Sequence, residues 1–196
     1  VPTFAHHNLL TDAAGEGFSK RLGSLSLRQL RATGFEAMAV ATMAALTGTS
    51  LPVEPYPSLE AIADRLELAM ISHGPARFDP SELEGLNARL LHGLSFEAAR
   101  PRLAALGLDD ERLWLGLRGN LRLFSDVVGL ARLVKGPIEP QIPPDDRGFI
   151  DEARRLLPPA PWDEATFASW IEPLKIASGR KGKALFEPLR LALTGT

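Results

Sequence analysis

The sequence predicts a mainly all-α protein, and three observations carry that expectation. Leu and Ala number 33 and 26 of the 196 residues, against 22 for Val, Ile and Thr together. Unbranched and small side chains lose less freedom in a helix than β-branched ones. Apolar residues also recur at three-to-four spacing in several windows, which is the signature of one helical face. Helix-capping residues before those windows, with Gly or Pro after them, mark where each helix starts and stops. A hydrophobic content of 45% supplies ample material for a core.

Residues 1–23 contain Pro2, Gly15, Gly17 and Gly23 with little helical periodicity, so an extended segment and a loop are expected there. Ser24 or Ser26 then caps a short helix through Arg31, with Leu27 and Leu30 on one side and Gly34 as the stop. A second helix covers about 36–47 and ends at Gly48. Prolines 52, 55 and 57 make LPVEPYP a stiff connector, because each fixes its own φ and restricts the residue before it. Ser58 caps a helix over 59–70, with Leu59, Ile62, Leu66 and Met70 on one stripe.

Asp79-Pro80-Ser81-Glu82 is the clearest boundary, with a cap residue, a first-turn proline and a carboxylate three places after the cap. The helix it opens is expected to reach about Leu94. Ser95 caps the next one, which Pro101 limits or kinks before Gly107. Asp109-Asp110-Glu111 heads an apolar pattern over 113–134 that Gly116 and Gly119 can interrupt. Carboxylates at a helix start complement its positive end, which accounts for this cluster without catalysis. A second proline-rich connector spans 136–144, and helices follow at about 146–157, 163–178 and 181–193. Trp114, Phe124, Phe149, Phe167, Trp170 and Phe186 sit in apolar patterns and are expected in the core.

Composition narrows the function classes. There is no cysteine, so disulfides and thiolate metal sites are excluded, and no run of apolar residues is long enough to suggest a membrane span. The cytoplasm is the default location. His6, His7, His73 and His92 lack ligand-type spacing, so no metal site is expected. The net charge of −2 argues against nucleic-acid binding by the chain as a whole. Residues 1–99 carry 7 Lys/Arg and 11 Asp/Glu, and residues 100–196 carry 15 and 13, so only local clusters can attract an anion.

Such clusters exist. GEGFSKRLG, from Gly15 to Gly23, sets Lys20 and Arg21 in a glycine-flanked loop, where a lysine and backbone amides can approach a polyphosphate closely. Arg28 and Arg31 can share a helix face near it, Arg118 and Arg122 lie four apart, and Arg180, Lys181 and Lys183 crowd a helix start. A helix N-terminus disfavours cations, so the last group points to an RNA partner, whereas solvated helix faces also explain the first two.

The segments around the loop resemble bacterial glutamyl-tRNA synthetase, a class I aminoacyl-tRNA synthetase. They are Pro2-Thr3-Phe4-Ala5-His6 and Leu9-Leu10-Thr11-Asp12 before it, and Leu22 to Leu27 with Gly34 to Val40 after it. Further matches follow in order at Ala76-Arg77-Phe78-Asp79-Pro80, Leu86-Asn87, Arg118-Gly119-Asn120-Leu121 and Gly179 to Gly195. The resemblance implies that Gly17, Phe18, Ser19, Lys20 and Arg21 form the KMSKS-type loop that binds ATP, with Lys20 on the phosphates and Ser19 its signature partner. Gly17 stands where many members have a lysine, which removes one of two cations. The implied chemistry joins glutamate to ATP, with magnesium in the parent enzyme, and passes the glutamyl group to tRNA(Glu).

The resemblance also sets an expected organisation. Residues 1–78 would end a catalytic domain with the loop and a helical stem-contact segment, and 79–196 would form an α-helical anticodon-binding domain, with a subdomain joint near 137–144. The family's other ATP signature, HIGH, does not occur, so this is expected to be a C-terminal fragment without activity of its own. Two alternatives remain open at this point: an independent noncatalytic tRNA-binding module, and a helical protein-interaction scaffold with a fortuitous Ser-Lys-Arg loop.

Overall fold

The computed structural model describes residues 2, 4, 7–12, 14–17 and 26–196. Helix dominates: ten α-helices are seen among these residues, and the only named strands are two short parallel ones. Two compact units divide the chain, residues 1–131 and 132–196.

In the first unit, β1 (Leu10–Thr11) pairs with β2 (Ala76–Arg77). The Ala76 N–H donates to the Leu9 carbonyl and the Phe78 N–H to the Thr11 carbonyl, both at 2.8 Å. Helix α1 (Leu27–Thr33) begins at Ser26 rather than Ser24, which lies outside the described residues. Ser26 and Gln29 form a reciprocal capping box, and Gly34 closes the helix in the left-handed conformation at φ 100°. Leu30 is buried but Leu27 is exposed, so only one of the two leucines packs.

Helix α2 (Ala37–Leu46) runs as expected and ends before Gly48. That glycine has φ +81°, and a Cβ there would collide with the Asn8 amide and come within 2.6 Å of the Ala76 Cβ. Only glycine fits. The Asn8 amide donates to the Gly48 carbonyl at 3.0 Å, which seats the chain's first segment on the end of α2.

The helix expected over 59–70 is shorter. Helix α3 (Leu59–Ala63) ends at Asp64, and a separate 3-10 turn covers Leu68–Met70. The reason is tertiary. The Met70 carbonyl accepts from the Ser50 N–H at 3.2 Å, Ser72 N–H donates to the Gly48 carbonyl at 2.9 Å, and Thr49 bridges Ile71. Those pairings take residues 70–72 alongside the end of α2 and out of helical register. Of the expected stripe, Ile62 is buried, Leu66 and Met70 are half-buried and Leu59 is exposed.

Helix α4 (Pro80–Gly93) starts where the sequence says. The Ser81 hydroxyl and backbone N–H both donate to Asp79 Oδ1 at 2.8 Å and hold that carboxyl below its usual range. Helix α5 (Phe96–Ala105) passes through Pro101 without ending. The apolar pattern of 113–134 is broken into α6 (Glu111–Leu117), a 3-10 turn at Arg118–Asn120 and α7 (Asp126–Lys135), within which the division between units falls. Asp110 caps α6 by accepting from the Leu113 N–H at 3.0 Å, and Asp109 holds Arg100 through two hydrogen bonds of 2.9 and 3.1 Å. Asp109 and Asp110 are therefore structural.

Two larger clusters form this unit's core. Leu30, Ala39, Met43, Phe78, Leu83 and Leu86 pack α1, α2 and α4 together. Leu91, Ala99, Leu103, Trp114, Leu121, Phe124 and Val127 fill the space among α4 to α7.

The second unit contains α8 (Arg147–Arg155), α9 (Thr166–Ser178) and α10 (Lys183–Thr194). Its core is Phe149, Ala153, Trp170, Ile171, Leu174, Leu185 and Leu189. Phe167 and Phe186 do not join it; they are 53% and 42% exposed, which corrects the expectation that all six aromatics pack inside. Phe167 lies at the margin of this core, edge-on to the buried Trp170 ring with centroids 6.2 Å apart. Asp163, ahead of α9, is held below the usual carboxylate range by the Thr166 hydroxyl and, more weakly, by the Ala165 and Thr166 N–H groups.

Candidate nucleic-acid interface

Phe18, Ser19, Lys20 and Arg21 lie outside the described residues, but both flanks of the loop are described. On the incoming side Thr11 is buried in β1, and Asp12 organises the turn that follows. Its Oδ1 accepts from the Ala14 and Glu16 N–H groups at 2.9 Å, and its own N–H donates to the Glu16 carbonyl at 2.9 Å. Gly15 sits at φ +87° inside this turn, and Gly17 bridges back to Thr11. On the outgoing side, the Ser26 capping box fixes where α1 begins. Gly17 is exposed, and among the described residues a Cβ there would meet only the Leu9 side chain, at 4.0 Å. Space for a side chain is present.

The basic candidates fall into two groups. Arg28 and Arg31 are exposed on α1, Arg122 and Lys181 are exposed as well, and none of these four side chains forms an ion pair among the described residues. Arg118, Arg180 and Lys183 are engaged. Arg118 is half-buried and donates to the Leu94 carbonyl at 2.9 Å, a carbonyl that also accepts from Trp114 Nε1 at 3.1 Å. Arg180 bonds Asp146 at 2.6 Å and lies 4.3 Å above the Phe149 ring. Lys183 stands 3.6 Å from Glu187, one turn along α10. Arg118 and Arg122 do not share a helix, because the 3-10 turn separates α6 from the segment that carries Arg122.

One residue that charge patterning misses organises this region. Asn87, on α4, is completely buried; its Oδ1 accepts from the Glu36 N–H at 2.7 Å and its Nδ2 donates to the Arg122 carbonyl at 2.6 Å. The Leu86-Asn87 pair is legible as a family match, but its partners are 51 and 35 residues away in the chain. Among the described residues no group of three or more His, Asp or Glu side chains could hold a metal ion, and no helix is long and apolar enough to cross a membrane.

The all-helical arrangement is shared with the helical portion of aminoacyl-tRNA ligases of known structure. Two solved structures share the fold: a glutamate tRNA ligase from Elizabethkingia meningosepticum in complex with its amino acid, with TM-score 0.68 and 19% identity, and a glutamate-tRNA synthetase from Elizabethkingia anophelis, with TM-score 0.66 and 20% identity. Each match covers 100% of this chain and 46% of the other. No family model matches the chain.

Sequence similarity is closer. The chain is 56% identical over 198 residues to glutamate–tRNA ligase 2 of Methylobacterium sp. (strain 4-46), and 56% identical over 196 residues to that of Xanthobacter autotrophicus. It is 53% identical over 199 residues to glutamate–tRNA ligase 1 of Brucella canis. These matches take in 99 to 100% of the chain but only 43 to 44% of each relative. From end to end, the chain is homologous to the C-terminal portion of bacterial glutamate–tRNA ligases.

Proposed function

We propose that this chain supplies the ATP-binding signature loop and the tRNA-binding helices of a cytoplasmic glutamate–tRNA ligase. The observation that carries the proposal is the end-to-end identity of 53 to 56% with ligases of that name. Glutamate attacks ATP to give glutamyl-adenylate and pyrophosphate, and the tRNA's terminal ribose then takes the glutamyl group and releases AMP. Lys20 stabilises the charge that builds on the phosphate oxygens, with Ser19 beside it in the signature and Arg21 at its last position. Magnesium accompanies ATP as a substrate ion. The described flanks of the loop support this role, because the Asp12 turn and the Ser26 box hold both of its ends.

Residues 1–78 close the catalytic domain and contact the tRNA stem, and residues 79–196 serve the anticodon arm, with a joint near 137–144. Arg28, Arg31, Arg118, Arg122, Arg180, Lys181 and Lys183 meet RNA phosphates. The four exposed cations without ion pairs among the described residues are the stronger contacts; Arg118, Arg180 and Lys183 also hold protein groups. Binding is then salt-dependent, because each neutralised phosphate releases counterions.

The test is a filter-binding series of this chain with tRNA(Glu), an anticodon-altered tRNA(Glu) and an unrelated tRNA at two salt concentrations. The expected result is tightest retention of tRNA(Glu), weakening with salt. Equal retention of all three, or none, overturns the proposal.

A further inference from the structure

We infer that Asn87 is a positioning residue for RNA recognition, acting through Arg122; the inference rests on the tRNA-binding reading above. The segment between α6 and α7 is short and irregular, yet it is pinned from several directions. Asn87 Nδ2 donates to the Arg122 carbonyl at 2.6 Å from inside the core. The His92 ring bonds the adjacent Leu121 carbonyl at 3.0 Å through Nε2, which must carry the proton because a carbonyl only accepts. Asp126 Oδ2 accepts from the Arg122 and Leu123 N–H groups at 3.0 and 2.8 Å. Next to them the Arg102 guanidinium lies 3.5 Å from the centre of the Phe124 ring and is held there by two hydrogen bonds to Glu36, of 3.0 and 2.8 Å.

Both backbone groups of Arg122 are thus bonded to side chains, while its own side chain is exposed and forms no ion pair among the described residues. A backbone fixed on both sides beneath an exposed cation is a pre-organised phosphate contact, since little backbone freedom remains to be lost when the anion arrives. Asn87 joins that tip to the start of α2, because its other end accepts from the Glu36 N–H. Only an amide of this length can accept at one end and donate at the other, and its partners dictate which end is which.

The experiment is a double-mutant cycle on the full 196-residue chain, reading tRNA(Glu) affinity at several salt concentrations alongside thermal stability. Arg122→Ala is expected to weaken binding about five-fold and to lower the salt slope by about one, with no change in stability. Asn87→Ala weakens binding by a similar factor in the presence of Arg122 and has no further effect once Arg122 is Ala, which is the coupling a positioning role requires. If Asn87→Ala does not fold, Asp126→Ala releases the same turn from its half-buried side, and the same non-additivity is expected.

Equal losses with and without Arg122 would show that Asn87 only stabilises the fold, and would overturn this inference while leaving tRNA binding intact. A flat titration of the unmodified chain would overturn both readings.

Discussion

Arg180 reaches Asp146, 34 residues away in the chain, with a 2.6 Å hydrogen bond, and its guanidinium covers the Phe149 ring at 4.3 Å. The first cation of the Arg180-Lys181-Gly182-Lys183 run therefore ties the start of α8 to the start of α10 inside the second unit. Arg180→Ala leaves Asp146 without its partner at a site where both side chains are less than a third exposed. The expected loss is about 1–2 kcal/mol, between that of a surface pair and that of a buried one. Lys181→Ala leaves the melting temperature unchanged and weakens tRNA retention. Thermal unfolding of the two variants separates them, and equal melting temperatures would contradict the assignment.

Arg118 and Arg122 should separate in the same way. Arg118→Ala deprives the Leu94 carbonyl of one of its two donors and is expected to cost about 1 kcal/mol. In urea the midpoint of unfolding falls while its slope is unchanged, since no further surface is exposed. Arg122→Ala leaves that midpoint where it was.

Among the described residues Gly17 has room for a side chain, so on the proposed reading Gly17→Lys in a complete ligase carrying this segment restores a cation at the first signature position. The ATP KM should fall by a few-fold, the scale of about 1 kcal/mol. Lys20→Ala in the same enzyme should slow adenylate formation by about a hundred-fold. Pyrophosphate exchange measures both, and the 196-residue chain alone should show none. A Gly17→Lys enzyme with an unaltered KM would rule out a charge deficit at that position.

Acid should weaken the helix starts. The carboxyls of Asp79 and Asp163 are both held below their usual range by hydrogen bonds to the charged form, first from the Ser81 and Thr166 hydroxyls. A depressed folded pKa means that their stabilisation is complete above the unfolded value of about 3.9 and is lost as pH falls through the folded value. Asp79→Asn keeps a capping oxygen but cannot titrate in this range. It should match the parent at pH 7 and lose less stability between pH 5 and 2.5. Parallel loss in the two proteins, followed by circular dichroism, would refute the assignment.

How much of this was legible depends on how far each signal travels along the chain. Helix α4 was readable because Asp79, Pro80 and Ser81 settle its start among themselves. Helix α3 was overrun because what stops it, the pairing of Met70 to Ser72 with Gly48 to Ser50, depends on chain 20 or so residues earlier that no helical periodicity reports. The break between α6 and α7 was half visible, in Gly116 and Gly119, but the turn is held by Asn87, His92 and Asp126. The same holds for the cations. Sequence shows where Arg and Lys gather, while Leu94, Asp146 and Glu187 decide which of them are already occupied.

Gly48 sets the height of the ramp that leads to Gly17. Asn8 leans on the bare Cα and carbonyl at the foot of α2, and Ala76 of the paired strand crowds the same spot. The smallest added substituent would act as a wedge beneath both strands and lift the approach to the Asp12 turn from its footing. Errors in the turn from Asp12 to Gly17 can thus originate at a helix end more than 30 residues further along the chain.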